Sequence, residues 1–94
     1  MSNIKDFEIE NGVLEAYLGA GGAVEIPHGV RVIGDEAFRL CTAMTSLLLP
    51  DTVTEIGNGA FEGCTKLTGV VYVPRGVYLG ENAFKGCPCK IERW

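Results

Sequence analysis

Short apolar clusters separated by turn-forming residues run the length of the chain, and the alternation repeats. Three segments align: Ile26 to Pro50 (IPHGVRVIGDEAFRLCTAMTSLLLP), Leu49 to Pro74, and Val73 to the end. Gly34, Gly57 and Gly80 are 23 residues apart, and so are Ala37, Ala60 and Ala83, then Phe38, Phe61 and Phe84, then Cys41, Cys64 and Cys87. Pro27 to Pro50 is also 23 residues, but Pro50 to Pro74 is 24. The third segment has one residue fewer between its Pro and its Gly, so the register is restored. An insertion compensated in this way marks the Gly-to-Cys block as the rigid frame.

Such a period predicts a repeat architecture. Val30, Ile33, Ala37, Phe38, Cys41 and Met44, with their equivalents, form one apolar set per unit. A single unit cannot bury that set; stacked neighbours can, giving a quasi-one-dimensional core. The Phe column should form an aromatic ladder along the stack, and the small Ala column should mark close approach of neighbouring turns. The β-rich stretches Ala23–Ile26, Ser46–Leu49 and Val70–Val73 each end at Pro, which reads as short strands of a parallel sheet. Pro-x-x-Val leads into a second short extended piece, and Gly makes the next corner. Residues 35–40, 58–63 and 81–86 read as one helical or 3₁₀ turn each, with Asp35 and Asn58 as caps. Ahead of the repeats, Asn11-Gly12 sits between two β-favouring runs, which predicts a hairpin of Phe7–Glu10 and Val13–Leu18. The expected organisation is one domain over residues 1–94: a hairpin cap at 1–22 and repeats at 23–45, 46–69 and 70–94. The predicted fold is an α/β-type solenoid, mainly β and right-handed, with about three repeats and an N-terminal β-hairpin cap.

The pattern IPxxVxxIGxxAFxxCxxLxxLxLP resembles the BspA-like class of bacterial and protozoan leucine-rich repeats. Pro27, Val30, Ile33, Gly34, Ala37, Phe38, Cys41 and Met44 carry the match, and Pro50, Val53, Ile56, Gly57, Ala60, Phe61, Cys64 and Leu67 carry it again. The resemblance implies surface adhesion, matrix binding or general protein–protein recognition, and it implies no catalytic residues and no cofactor.

Charge and composition narrow the partners. The 94 residues carry a net charge of −4 with no basic cluster, which argues against nucleic acid. The longest uncharged apolar-leaning run, from Leu40 to Pro50, is too short to span a membrane. MSNIKDFEIE has no apolar signal region, so the chain as given reads as cytoplasmic; a chain whose leader had been removed would read as surface or secreted.

Four cysteines invite metal or redox readings. Three belong to the repeat column, which favours small buried hydrophobes. A zinc site near Cys64, Cys87 and Cys89 and a disulfide involving Cys87 or Cys89 are the competing readings, and no paired CxxC spacing supports the metal. The single histidine, His28, falls at a corner where Asp51 and Arg75 are its equivalents, which reads as exposed. Residues 19–22 (GAGG) lack the ending of a phosphate loop and read as a linker. Arg39, Glu62 and Lys85 form an alternating charge column, read as a solvated salt-bridge ladder.

The strand surface is the expected partner-binding site. With Ile26, Leu49 and Val73 inward, Glu25, Leu48 and Tyr72 face out, and Ser46 and Val71 join them one row further. Trp94 is expected to fold over the open C-terminal end, where Ile91 completes a last strand. The expected function is a non-enzymatic module that binds a protein partner through this face or the open end. The alternatives are a self-associating subunit, a homodimer through that end or face, and a small inhibitor or effector of a target enzyme.

Overall fold

The structure, a computed structural model, describes residues 4–94. A 3₁₀ turn at Ile4–Asp6 precedes nine strands: β1 (Phe7–Glu10), β2 (Val13–Tyr17), β3 (Gly22–Glu25), β4 (Val32–Ile33), β5 (Met44–Leu48), β6 (Glu55–Ile56), β7 (Val70–Val73), β8 (Tyr78–Leu79) and β9 (Lys90–Arg93). The hairpin forms where Asn11-Gly12 predicts it, with both turn residues at positive φ (52° and 79°). It opens a five-stranded sheet of order β1-β2-β4-β6-β8, in which β2 pairs in parallel with the two-residue strands of successive turns. Leu14, Ile33, Ile56 and Leu79 stack as one column; the first three are fully buried and Leu79 is half-buried. A mainly β solenoid of about four turns results.

The Pro-ended strands form the other wall. β3 pairs in parallel with β5, and β7 with β9, as two separate sheets. The reason for the break is the extra residue between Pro50 and Pro74. Leu67 stands 23 residues after Met44, but Val71 stands 24 after Leu47, so the insertion falls at Gly69. Gly69 sits at φ 74° with open space around it, a conformation that suits glycine. Thr68 N–H reaches Thr45 O at 3.3 Å, and beyond it β5 and β7 run side by side without a shared ladder.

Between the two walls, residues 35–40, 58–63 and 81–86 form the corners. Their backbones alternate positive φ at Glu36 and Leu40, at Gly59 and Gly63, and at Asn82 and Gly86. Left-handed residues at these places bend the corner away from extended backbone while every second N–H still points along the stack. Accordingly Glu36, Phe38 and Leu40 donate to the carbonyls of Asn58, Ala60 and Glu62, and Gly59, Phe61 and Gly63 donate to those of Glu81, Ala83 and Lys85. Asp35 and Asn58 do not cap their own turns as the sequence suggests. Their side-chain oxygens each accept the backbone N–H one repeat on: Asp35 Oδ1 accepts from Asn58 N and Asn58 Oδ1 from Glu81 N, both at 2.8 Å. The frame Gly column is required by this contact: a Cβ at Gly57 would lie 2.7 Å from Asp35 N, and one at Gly80 would lie 2.6 Å from Asn58 N.

Inside the corners the rings stack as the Phe period predicts. Phe38, Phe61 and Phe84 follow at 4.8 and 5.0 Å, with interplanar angles of 20° and 9°. Two hairpin rings extend the row: Tyr17 lies 4.9 Å from Phe38, and Phe7 lies 5.5 Å from Tyr17. The thiols of Cys64 and Cys87 donate to Phe38 O and Phe61 O, the carbonyls of the preceding turn, at 3.1 and 2.9 Å.

Candidate functional site

The outer face of the Pro-ended strands is built by strand parity. Val24, Leu47 and Val71 are buried, as are Ile26, Leu49 and Val73. Every residue between them is turned outward. One outward row is Glu25, Leu48 and Tyr72; the other is Ala23, Ser46 and Val70. Leu48 is 55% exposed, Tyr72 51% and Val70 40%, so three large apolar side chains stand in solvent on one wall. The register pairs Ala23 with Ser46 and Glu25 with Leu48 across β3 and β5.

Val71 is a correction to the sequence reading. It is fully buried, in the Leu47 column, and Val70 holds the outward place. Adjacent residues of a strand point to opposite faces, so Val71 and Tyr72 cannot both face out. The 24-residue step hid this, but the parity of Val70-Val71-Tyr72-Val73 carries the signal.

Trp94 also differs from expectation. Its N–H donates to Val73 O at 3.1 Å and its carbonyl accepts from Arg75 N at 2.8 Å, which ties the chain end to β7. The half-exposed ring joins the sheet face instead of covering the open end. With Glu25, Ile26, Pro27, His28, Leu48, Leu49 and Pro50 it lines a groove of about 470 Å³. A second hollow of about 260 Å³, lined by Ala23, Val24, Glu25 and Leu48, is continuous with it through Glu25 and Leu48. Proline and histidine lining was not foreseen; the corner residues after each strand rise beside the face. A third hollow, of about 510 Å³, lies on the hairpin between Glu8, Glu10 and Glu15, away from this wall.

The candidate chemistry elsewhere resolves into structure. His28 is 80% exposed and stands 3.9 Å from Asp51. Cys41, Cys64, Cys87 and Cys89 are free thiols. Burial pushes all four up from their usual range, Cys64 to about 12, which keeps them protonated and weakly nucleophilic near neutral pH. Among the described residues no group of three or more His, Cys, Asp or Glu side chains is placed to hold a metal ion. Arg39 meets Glu62 at 3.6 Å, and Lys85 does not continue the charge ladder among the described residues. No helix among the described residues is long and apolar enough to cross a membrane.

A stack of short repeats with one broad, partly apolar outer wall defines a leucine-rich-repeat solenoid. The family description "BspA type leucine rich repeat region (6 copies)" matches residues 21–92, and the chain belongs to that family. Two solved structures share the fold. A leucine-rich cell-surface protein from Faecalibacterium prausnitzii is 27% identical with a TM-score of 0.68, covering 99% of this chain and 29% of that one. The T. pallidum leucine-rich-repeat protein is 21% identical with a TM-score of 0.55, covering 89% of this chain and 66% of that one. The chain therefore spans under a third of the first relative's length and about two thirds of the second's. No curated protein matches the chain. Leucine-rich-repeat modules in general mediate protein–protein interaction.

Proposed function

We propose that the chain is a non-enzymatic protein-binding module that recognises a protein partner through the outer sheet face. The observation that carries this reading is the set of Leu48, Val70, Tyr72 and Trp94, all exposed on one wall and bordered by the groove at Pro50. Solvated apolar side chains gathered in one place are an interface signature, whereas the same residues scattered singly are not. Tyr72 and Trp94 supply large rigid contact area of the type that dominates binding energy at interfaces. Glu25 and Ser46 provide the polar border. The family's general role supports binding over catalysis. The likeness to a cell-surface protein supports a surface or secreted setting over a cytoplasmic one.

The test is the double substitution Leu48→Lys with Tyr72→Lys. Both side chains are more than half exposed, so the thermal unfolding midpoint should stay within a few degrees of the parent. Association with the native partner, read by affinity capture or by interferometry once that partner is in hand, should be lost. Retained association at full strength would remove this face from the account.

A further inference from the structure

Asn-Gly occurs twice in the chain, as Asn11-Gly12 at the hairpin tip and as Asn58-Gly59 in the second corner. The dipeptide is chemically labile. The glycine nitrogen attacks the Asn side-chain carbonyl carbon, and glycine has no Cβ to obstruct the approach. A succinimide ring closes as the new C–N bond forms, the carboxamide C–N bond breaks and ammonia leaves. Water then opens the ring at either carbonyl. The product is Asp, or isoaspartate with the chain rerouted through the side chain. Asn and water thus give a carboxylic acid and ammonia, with no oxidant or other co-reactant. The step requires a free glycine N–H, a side chain free to swing and a backbone free to bend.

Asn58-Gly59 meets none of these conditions. Gly59 N donates to Glu81 O at 2.9 Å, Asn58 N donates to Asp35 Oδ1, and Asn58 Oδ1 accepts from Glu81 N. Nucleophile and target are each fixed to a neighbouring turn, and Gly59 is buried. Asn11-Gly12 is held differently. Asn11 is exposed, and among the described residues no hydrogen bond holds its carboxamide or the Gly12 N–H. Its fixed point is Arg31, whose Nη2 donates to Asn11 O at 2.9 Å. The guanidinium lies over Gly12, where a Cβ would stand 2.7 Å from Arg31 Nε. Asn11 O belongs to the peptide whose nitrogen attacks. A cation bonded to it favours loss of the Gly12 N–H proton, because the charge left behind is shared with that oxygen. In isoaspartate the same oxygen becomes part of the new carboxylate, with Arg31 already in place to pair with it.

We propose that Asn11 is a modification site at which spontaneous deamidation, assisted by Arg31, acts on the hairpin cap, while the stacked corner shields Asn58. The consequence falls on the join between cap and repeats. Gly12 O accepts Arg31 N and Val32 N at 2.8 and 3.2 Å, which ties the tip to β4. Isoaspartate adds a backbone carbon to a two-residue turn closed by the Glu10–Val13 pair, so the turn no longer fits its register. Either product adds a negative charge next to Glu10. The tip belongs to the five-stranded sheet, so the site is separate from the proposed binding face.

The experiment incubates the intact chain at mildly alkaline pH, in native buffer and in guanidinium chloride, and follows each Asn-Gly peptide by mass. Unfolded, the two sites should convert at similar rates. In the native protein Asn11 should convert at least about tenfold faster than Asn58, because opening a turn tip costs less than opening a stacked corner. Equal native rates, a faster Asn58, or an inert native Asn11 beside a reacting unfolded sample would overturn the proposal. Arg31→Gln should slow native conversion at Asn11 about two- to fivefold, the scale of an exposed charge contact. An unchanged or faster rate overturns the assistance given to Arg31. The modified protein, resolved by its added charge on anion exchange, should show faster amide hydrogen exchange at Arg31 and Val32 than the parent. Unaltered exchange there overturns the effect on the cap.

Discussion

Replacing Phe61 with alanine removes an interior ring of a five-ring row, and replacing Phe84 removes its last rung. The ladder reading fixes how the two costs compare. Phe61 is fully buried and touches a ring on each side, at 4.8 and 5.0 Å. Truncating a buried Phe to Ala costs about 3–5 kcal/mol through lost transfer energy and the cavity left behind. Each stacked pair carries about 0.5–1.5 kcal/mol within or beyond that figure. Phe84 has one stacked neighbour and a half-buried ring, so it loses one pair and roughly half the transfer energy, about 1.5–2.5 kcal/mol in all. Phe61→Ala should therefore be the more damaging by about 1.5–2.5 kcal/mol. Urea unfolding of the two variants and the parent, followed by far-UV circular dichroism, reads the difference. With a slope near 1–2 kcal/mol per molar for a domain of this size, the Phe61→Ala midpoint should fall about 1–2 M below that of Phe84→Ala. Equal midpoints, or a larger loss at Phe84, would mean that the rings do not act as a stack with an interior and an end.

Further predictions follow from the strand register, the side-chain ladder and the thiols. Val71→Ser should destabilise by about 2 kcal/mol or more, while Val70→Ser should change stability by less than about 0.5 kcal/mol; the reverse order would put the Gly69 insertion elsewhere. Asp35→Ala strips the acceptor from the Asn58 N–H and should cost about 1 kcal/mol by chemical denaturation, whereas Asp35→Asn should be nearly silent. Cys64 is held protonated by burial, with its native pKa raised from 9.0 to about 12, so its contribution is whole below pH 9 and is lost as the pH climbs from 9 toward 12. Subtracting the stability–pH curve of Cys64→Ala from that of the parent should isolate this decline, and a flat difference across that window would contradict it. Thiol titration should find Cys64 unreactive in the native protein and reactive after unfolding.

Much of this architecture was readable before any coordinates, because a strict 23-residue period forces equivalent side chains into columns. The Phe, Ala, Gly and Cys columns all stack as the period requires. What escaped the sequence lay where the period fails. Tyr17 joins the aromatic row from a position 21 residues before Phe38, so no repeat alignment could propose it. The Gly69 insertion moved the outward position from Val71 to Val70 and split the strand wall into two sheets. Asp35 and Asn58 were legible as hydrogen-bonding corner residues, but local capping statistics point within a turn, and the acceptors reach across to the next. Trp94 depends on a tertiary choice between two open surfaces, and its backbone pairing with Val73 settles it toward the sheet face. On the outer wall, Leu48, Tyr72, Glu25 and Ser46 are exposed as alternation alone predicts, whereas the Pro50 and His28 walls of the groove needed the third dimension.

Binding through the outer wall is tested most directly by capture from a native lysate, with the intact chain and the Leu48→Lys, Tyr72→Lys chain immobilised at equal density and equal thermal midpoint. Retention of a defined protein by the first and its absence from the second is the predicted result. The same protein held equally by both would contradict the role given to Leu48 and Tyr72.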